Sequence, residues 1–226
     1  MRMKIQLKRS EMAKLLFTLQ GESDAAPASI LKEIGIDPSD FPDFIRSSKP
    51  LPRGLSSNEI VSLAKLCELT SLKSTSIQNW IKRDMKELIG SPEHGKKYSI
   101  EQAAILLIVR DLKSAFDFDT IRHLLKLLFN TLSDRSDDLI SPLRYYSAYG
   151  TILERMESIT VFSLSEHELE KDVQDQIEAA HDLFQDLPED GWNQVKDILT
   201  ITVLSVITSY LQKRSRLFLQ EHFKEM

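Results

Sequence analysis

The chain of 226 residues holds a single cysteine, Cys67. One thiol can form neither an internal disulfide nor a thiolate metal cage, so a reducing compartment is expected. Glycine and proline are also scarce, at 7 and 8 residues. Turn-rich sandwiches and barrels use more of both, and helices are expected instead. The stretch Met1 to Arg9 is charged and lacks the apolar core of a signal peptide. The longest apolar segment, Ile198 to Leu211, is broken by Thr200, Thr202, Ser205, Thr208 and Ser209, which reads as too short and too polar for a bilayer span. The expectation is a cytoplasmic protein with no membrane partner. There is no glycine-rich phosphate loop and no nucleophile elbow around Ser141 or Ser147, so no enzyme and no cofactor are expected.

Apolar residues make up 42% of the chain, enough for a buried core. The net charge of −5 conceals an uneven distribution. Residues 53–114 carry 10 basic and 7 acidic groups, whereas residues 132–226 carry 9 and 18. A local basic patch matters more for nucleic-acid binding than the total, so the middle of the chain stays compatible with DNA.

Helical spacing of Met12, Leu15, Leu16 and Leu19 predicts a helix over Ile5–Leu19. A short helix over Ser29–Ile34 should end at Gly35, and Pro38, Pro42, Pro50 and Pro52 break up the connector to Gly54. Three capping-box patterns follow: Ser56 with Glu59, Thr75 with Gln78 and Ser99 with Gln102. Each marks a helix start, and a fourth helix should run from Asp119 to Asn130. Between the second and third lies Gly90 to Tyr98, where Gly90, Ser91-Pro92 and Gly95 are turn signals. It has the size of a small hairpin wing. After a polar linker, Ser133 to Pro142, helices are expected at about 142–160, 165–187 and 191–225. The domains would be 1–55, an N-terminal helix and proline-rich connector; 56–131, a DNA-binding unit; and 132–226, a helical dimerisation or effector domain. Leu204, Leu211 and Phe218 recur every seven residues, as coiled-coil seams do.

A DNA recognition helix needs an apolar side to seat it, short polar side chains near its start for base edges, and cations for phosphates. The expected helix 75–88 has Ile77, Trp80 and Ile81 for the first, and Thr75, Ser76, Gln78 and Asn79 for the second. Lys82, Arg83 and Lys86 follow, with Lys96 and Lys97 on the wing for neighbouring phosphates.

This order of helix, turn, recognition helix, Lys96-Lys97-Tyr98-Ser99 wing and two further helices resembles the MerR-like winged helix-turn-helix regulators. The segments Thr75 to Trp80, Gly95 to Gln102 and Phe116 to Arg122 are more narrowly similar to the YkrK-type family of Bacillus, a domain of unknown function. The likeness covers about residues 37 to 130. It implies an all-α fold with a small β-hairpin wing and a C-terminal helical bundle. It places Thr75, Ser76, Gln78, Asn79, Lys82 and Arg83 on a helix in the major groove, and Lys96, Lys97 and Tyr98 on a wing along the backbone. The function expected is sequence-specific transcriptional regulation on double-stranded DNA by a homodimer joined through its C-terminal helices. Recognition helices about 34 Å apart would meet one face of the duplex. The alternative is an adaptor that keeps the fold and binds protein.

Other signals read as structural. Glu178 and His181 have the spacing of half a di-iron motif, but no second copy exists. Cys67 falls on an apolar stripe and reads as a small buried hydrophobe. Tyr145, Tyr146, Tyr149 and Trp192 read as core or interface more readily than as a ligand pocket.

Overall fold

A computed structural model describes residues 6–23, 25–46, 54–68, 73–130, 137–156 and 168–222. The expected Pro50–Pro52 stretch, the start of the 133–142 linker and the helix ends at 157–160, 165–167 and 223–225 lie outside these residues.

The chain runs through α1 (Arg9–Gln20), α2 (Pro27–Glu33), α3 (Asp43–Arg46), α4 (Ser57–Leu66), α5 (Ser74–Asn79), α6 (Lys86–Ile89), α7 (Ile100–Leu112), α8 (Phe118–Phe129), α9 (Pro142–Met156), α10 (Glu168–Glu178) and α11 (Glu189–His222). Two of the three capping boxes form. The Ser56 N–H donates to Glu59 Oε2 at 2.6 Å and the Glu59 N–H to Ser56 Oγ at 3.3 Å. Ser99 and Gln102 do the same at 3.0 and 3.2 Å. The third does not form: α5 starts one residue early, with Lys73 at its N-cap and no side-chain cap. Helix α8 starts after Asp117, whose carboxylate accepts the Thr120 N–H at 2.8 Å, and not at Asp119.

The expected β-hairpin wing is absent. Among the described residues there is no strand, only isolated bridges at Leu7–Cys67, Leu55–Tyr98 and His94–Lys97. The His94 N–H donates to the Lys97 carbonyl at 3.0 Å and the Lys97 N–H returns at 3.2 Å. That closes a tight turn over Gly95 (φ +69°) and Lys96. Tyr98 then exchanges both backbone bonds with Leu55, each 2.8 Å. Lys97 and Tyr98 thus pair with different partners, and no second consecutive pair exists to make a ladder.

Helix α7 is buried on nearly every side and forms the axis of the molecule. Helices α1, α9 and α11 pack on it. Buried residues of all three sequence stretches, 1–55, 56–131 and 132–226, join one continuous core. Gly150 of α9 backs onto α1 so closely that a Cβ there would sit 2.7 Å from Ser10 N and 2.9 Å from the Arg9 carbonyl carbon. Tyr145, Tyr146 and Tyr149 fill the core edge to face, with ring centroids 5.1–5.8 Å apart. Trp192 is likewise buried, against Phe184 and His181.

A buried ionic cluster ties α1 to α7 and α9. Arg9 is 1% exposed, and its Nε and Nη2 donate to the two oxygens of Asp111 at 2.8 and 3.0 Å. Arg110 Nε donates to the same carboxylate at 3.0 Å, and the Tyr149 hydroxyl at 2.9 Å. Arg9 Nη1 also reaches Glu68 at 3.0 Å. Burial alone would raise the Asp111 carboxyl, but Arg110 and Arg9 outweigh it and hold it at about 2. The same burial pushes the Tyr149 hydroxyl up, reinforced by the Asp111 charge.

Helix α11 corrects the expectation drawn from Ile198–Leu211. It is 34 residues long, and one window of it is apolar enough, by length and composition, to cross a membrane. Within the fold 44% of that window is buried. Its Thr200, Thr202 and Ser205 hydroxyls donate to carbonyls four residues back, so they do not oppose burial in an apolar setting.

Candidate nucleic-acid interface

The expected continuous helix 75–88 is three pieces. After α5 the backbone widens into a π-turn over Trp80–Asp84, closed by the Met85 N–H on the Trp80 carbonyl at 2.7 Å. It restarts as α6 and stops at Gly90, whose φ of +71° suits glycine. Tertiary bonds account for the break. Arg122 of α8 donates to the Asp84 carbonyl at 2.7 Å, and Gln102 of α7 donates to the carbonyls of Ile89 and Ser91 at 2.7 and 2.8 Å. Those carbonyls would otherwise be left without partners at a helix end.

Helix α5 is seated by Ile77, which is fully buried, and by Ile81. Trp80 is half-buried, with its ring edge-on to Phe118 of α8 at 5.9 Å. Ser74 Oγ donates to Asn58 Oδ1 of α4 at 3.0 Å. One residue further on, Glu59 takes the Lys97 ammonium at 3.2 Å. The start of α5 and the 94–97 turn therefore both attach to the first turn of α4.

The structure brings most of the expected base-reading and phosphate-binding residues to one surface and turns two inward. Thr75, Gln78 and Asn79, spaced i, i+3 and i+4, share the exposed face of α5, while Ser76 is half-buried. Lys82, Arg83 and Lys96 are exposed, and among the described residues no acidic group pairs with them. Lys97 is half-buried and neutralised by Glu59. Tyr98 is 8% exposed with its hydroxyl bonded to Ser57, so it faces the fold and not the outside. Burial holds its phenol above the usual range. Lys86, also expected there, is exposed at the start of α6, and one further cation belongs to the same surface, Lys73 at the N-cap of α5. Lys73 precedes the expected helix start, and for that reason periodicity passed over it. Two nearby acids are engaged, Glu87 by Lys126 at 3.2 Å and Glu59 by Lys97, while Asp84 lies among the cations in the π-turn. Among the described residues, Lys73, Lys82, Arg83, Lys86 and Lys96 of this surface have no ion-pair partner.

A separate cleft of about 640 Å³ opens beyond the turn, between His94, Glu101 and the Asp138–Arg144 segment. Glu93, Glu101, Asp138 and Asp186 line it against Arg144 alone, a charge balance that repels phosphate. Glu178, half of the discounted metal motif, pairs with Lys196 at 3.5 Å. Among the described residues no group of three or more His, Cys, Asp or Glu could hold a metal ion. Cys67 is buried, with Sγ 3.9 Å from the Tyr146 hydroxyl.

The architecture is that of an all-α protein with a cationic helix pair on one side. Residues 40–149 match the family described as Domain of unknown function (DUF1836). The chain is similar to the "Uncharacterized protein YkrK" of Bacillus subtilis (strain 168), 46% identical over 217 residues, which cover 91% of this chain and 93% of that protein. It belongs to this YkrK-like DUF1836 family. No solved structure matches it.

Proposed function

We propose that the protein is a cytoplasmic, sequence-specific DNA-binding regulator in which α4 and α5 act as a helix-turn-helix of the MerR-like kind, without a wing. The observation that carries this is the α5 surface. Two amides, Gln78 and Asn79, stand exposed beside Thr75 on a helix whose other side is locked by Ile77 and Ile81. Exposed amides on a rigid helix suit bidentate bonds to adenine in the major groove. Lys73, Lys82, Arg83, Lys86 and Lys96 surround them and suit phosphates on either side. The acidic C-terminal half would face away from the duplex.

The test is fluorescence anisotropy on a duplex selected from a random library, over a salt series. Wild type should bind selectively, and Gln78→Ala/Asn79→Ala should lose at least tenfold, since each good amide–base contact is worth about 1–3 kcal/mol. Lys96→Ala should weaken all duplexes alike and reduce the salt slope by about 1. Absence of enrichment at any salt refutes the proposal and favours the adaptor, whose partner would then be a protein.

A further inference from the structure

The widened turn over Trp80–Asp84 changes which side chains stand in line on the α5 surface. On an α-helix each residue is rotated about 100° from the last. With Thr75 at zero, Asn79 then lies at about 40°, Ser76 at about 100° and Trp80 at about 140°. Thr75 and Asn79 are exposed, whereas Ser76 and Trp80 are half-buried and mark the flank where the surface meets the body. A continued α-helix would put Arg83 at about 80°, beside that flank. Instead the Met85 N–H bonds the Trp80 carbonyl at 2.7 Å, so the turn holds one residue more and each step is smaller. Arg83 is thereby rotated back towards the line of Thr75 and Asn79. The end of the turn is fixed from outside. The Leu88 N–H goes to the Met85 carbonyl at 3.1 Å, and the Asp84 carbonyl takes Arg122 at 2.7 Å, which is itself paired with Asp119 at 2.8 Å.

Building on the DNA-binding reading above, we propose that Arg83 reads a guanine, in one row with Gln78 and Asn79, and does not serve as a phosphate contact. Its side chain is exposed, and among the described residues no carboxylate pairs with it. The planar guanidinium matches guanine O6 and N7 with two parallel donors, which the point charges of the surrounding lysines do not. Charge separates it from those lysines as well. Of the five cations, Arg83 alone is followed in the chain by a carboxylate that has no ion-pair partner among the described residues, the half-buried Asp84. A carboxylate beside a cation opposes an incoming phosphate and leaves a neutral base edge acceptable. Lys82 and Lys86 remain on either side for the phosphates.

The spacing fixes where the guanine should fall. Arg83 follows Asn79 by four residues, about 6 Å along a helix. Bases on one strand are about 3.4 Å apart along the duplex axis. The guanine is therefore expected within two base pairs of the adenine met by Asn79.

Selection of duplexes from a random library by the full chain tests this, with wild type, Arg83→Lys and Arg83→Ala. Arg83 is exposed, so both variants should keep the wild-type helicity by circular dichroism. Wild type should enrich one guanine at a fixed offset within two base pairs of the adenines. Arg83→Lys should keep the adenines and the salt slope, and should lose about tenfold in preference for guanine over adenine at that one position. Selected adenines without a fixed guanine overturn the proposal and leave the DNA-binding reading standing. So does a wild-type preference in Arg83→Lys, or an Arg83→Ala variant that weakens every duplex alike and lowers the salt slope by about 1, the signature of a phosphate contact. Enrichment of no duplex at any salt overturns both.

Discussion

Asp111→Asn is the substitution that most directly probes how this chain is held together. It keeps the shape of the side chain and removes its charge. Arg9 and Arg110 then remain buried with no carboxylate between them, although Arg9 keeps Glu68 at 3.0 Å. Removing one partner of a buried pair costs about 3–5 kcal/mol, because the charge left behind is desolvated without compensation. The retained Glu68 contact places the expected loss near the lower end, about 3 kcal/mol, against a total stability of about 5–15 kcal/mol. Arg9→Met should cost less, since Asp111 keeps Arg110 and the Tyr149 hydroxyl.

The pH dependence has a definite sign. The Asp111 carboxyl lies at about 2 in the fold against an ordinary 3.8, so the unfolded chain binds this proton more readily. Its contribution is present above pH 3.8 and disappears as the pH falls towards about 2. That shift corresponds to about 2 kcal/mol. Urea unfolding followed by far-ultraviolet circular dichroism, at neutral pH and down an acid series, measures both effects. Asp111→Asn within about 1 kcal/mol of wild type at neutral pH, or an acid limb identical in the two proteins, would refute the reasoning.

Two further substitutions test the packing. Gly150→Ala places a methyl within 3 Å of the α1 backbone and should lower the melting temperature, because a clash of about 3 kcal/mol outweighs the gain of about 1 kcal/mol in helix propensity; a raised melting temperature would show that α1 and α9 can separate without loss. Gln102→Ala removes a helix cap together with the bonds to the Ile89 and Ser91 carbonyls, and should cost about 2 kcal/mol. Hydrogen exchange should also rise around residues 89–91 in that variant, and unchanged exchange there would count against its role in ending α6.

Several elements were legible before any coordinates. Ser56 with Glu59 and Ser99 with Gln102 mark helix starts because capping is a contact between residues three apart, and local contacts are written in local sequence. The Thr75–Gln78 pattern has the same spacing and failed, because Ser74 bonds Asn58 across from another helix and α5 begins one residue earlier. The hairpin wing failed for a related reason. Turn signals at Gly90, Pro92 and Gly95 locate the reversals, but a ladder needs a partner along its length, and Tyr98 has Leu55 alone. Arg9 gave no local warning of its burial. A basic residue at a helix start looks solvated until a carboxylate 102 positions away is shown to face it.

The amino-acid order by itself determined what depends on near neighbours: the helical class, two of the capped starts, the stop at Gly90, the amphipathic stripes and the basic middle against the acidic C-terminal half. Tertiary structure decided what depends on groups far apart in the chain. It met the break of the 75–88 helix at Trp80–Asp84 with Arg122 on the Asp84 carbonyl, ended α6 with Gln102 on the Ile89 and Ser91 carbonyls, turned Lys97 and Tyr98 inward, and joined the N-terminal helix to α7 through Arg9 and Asp111. Periodicity records which side of a helix is apolar, but only packing shows which partner meets that side and which polar groups are buried with it.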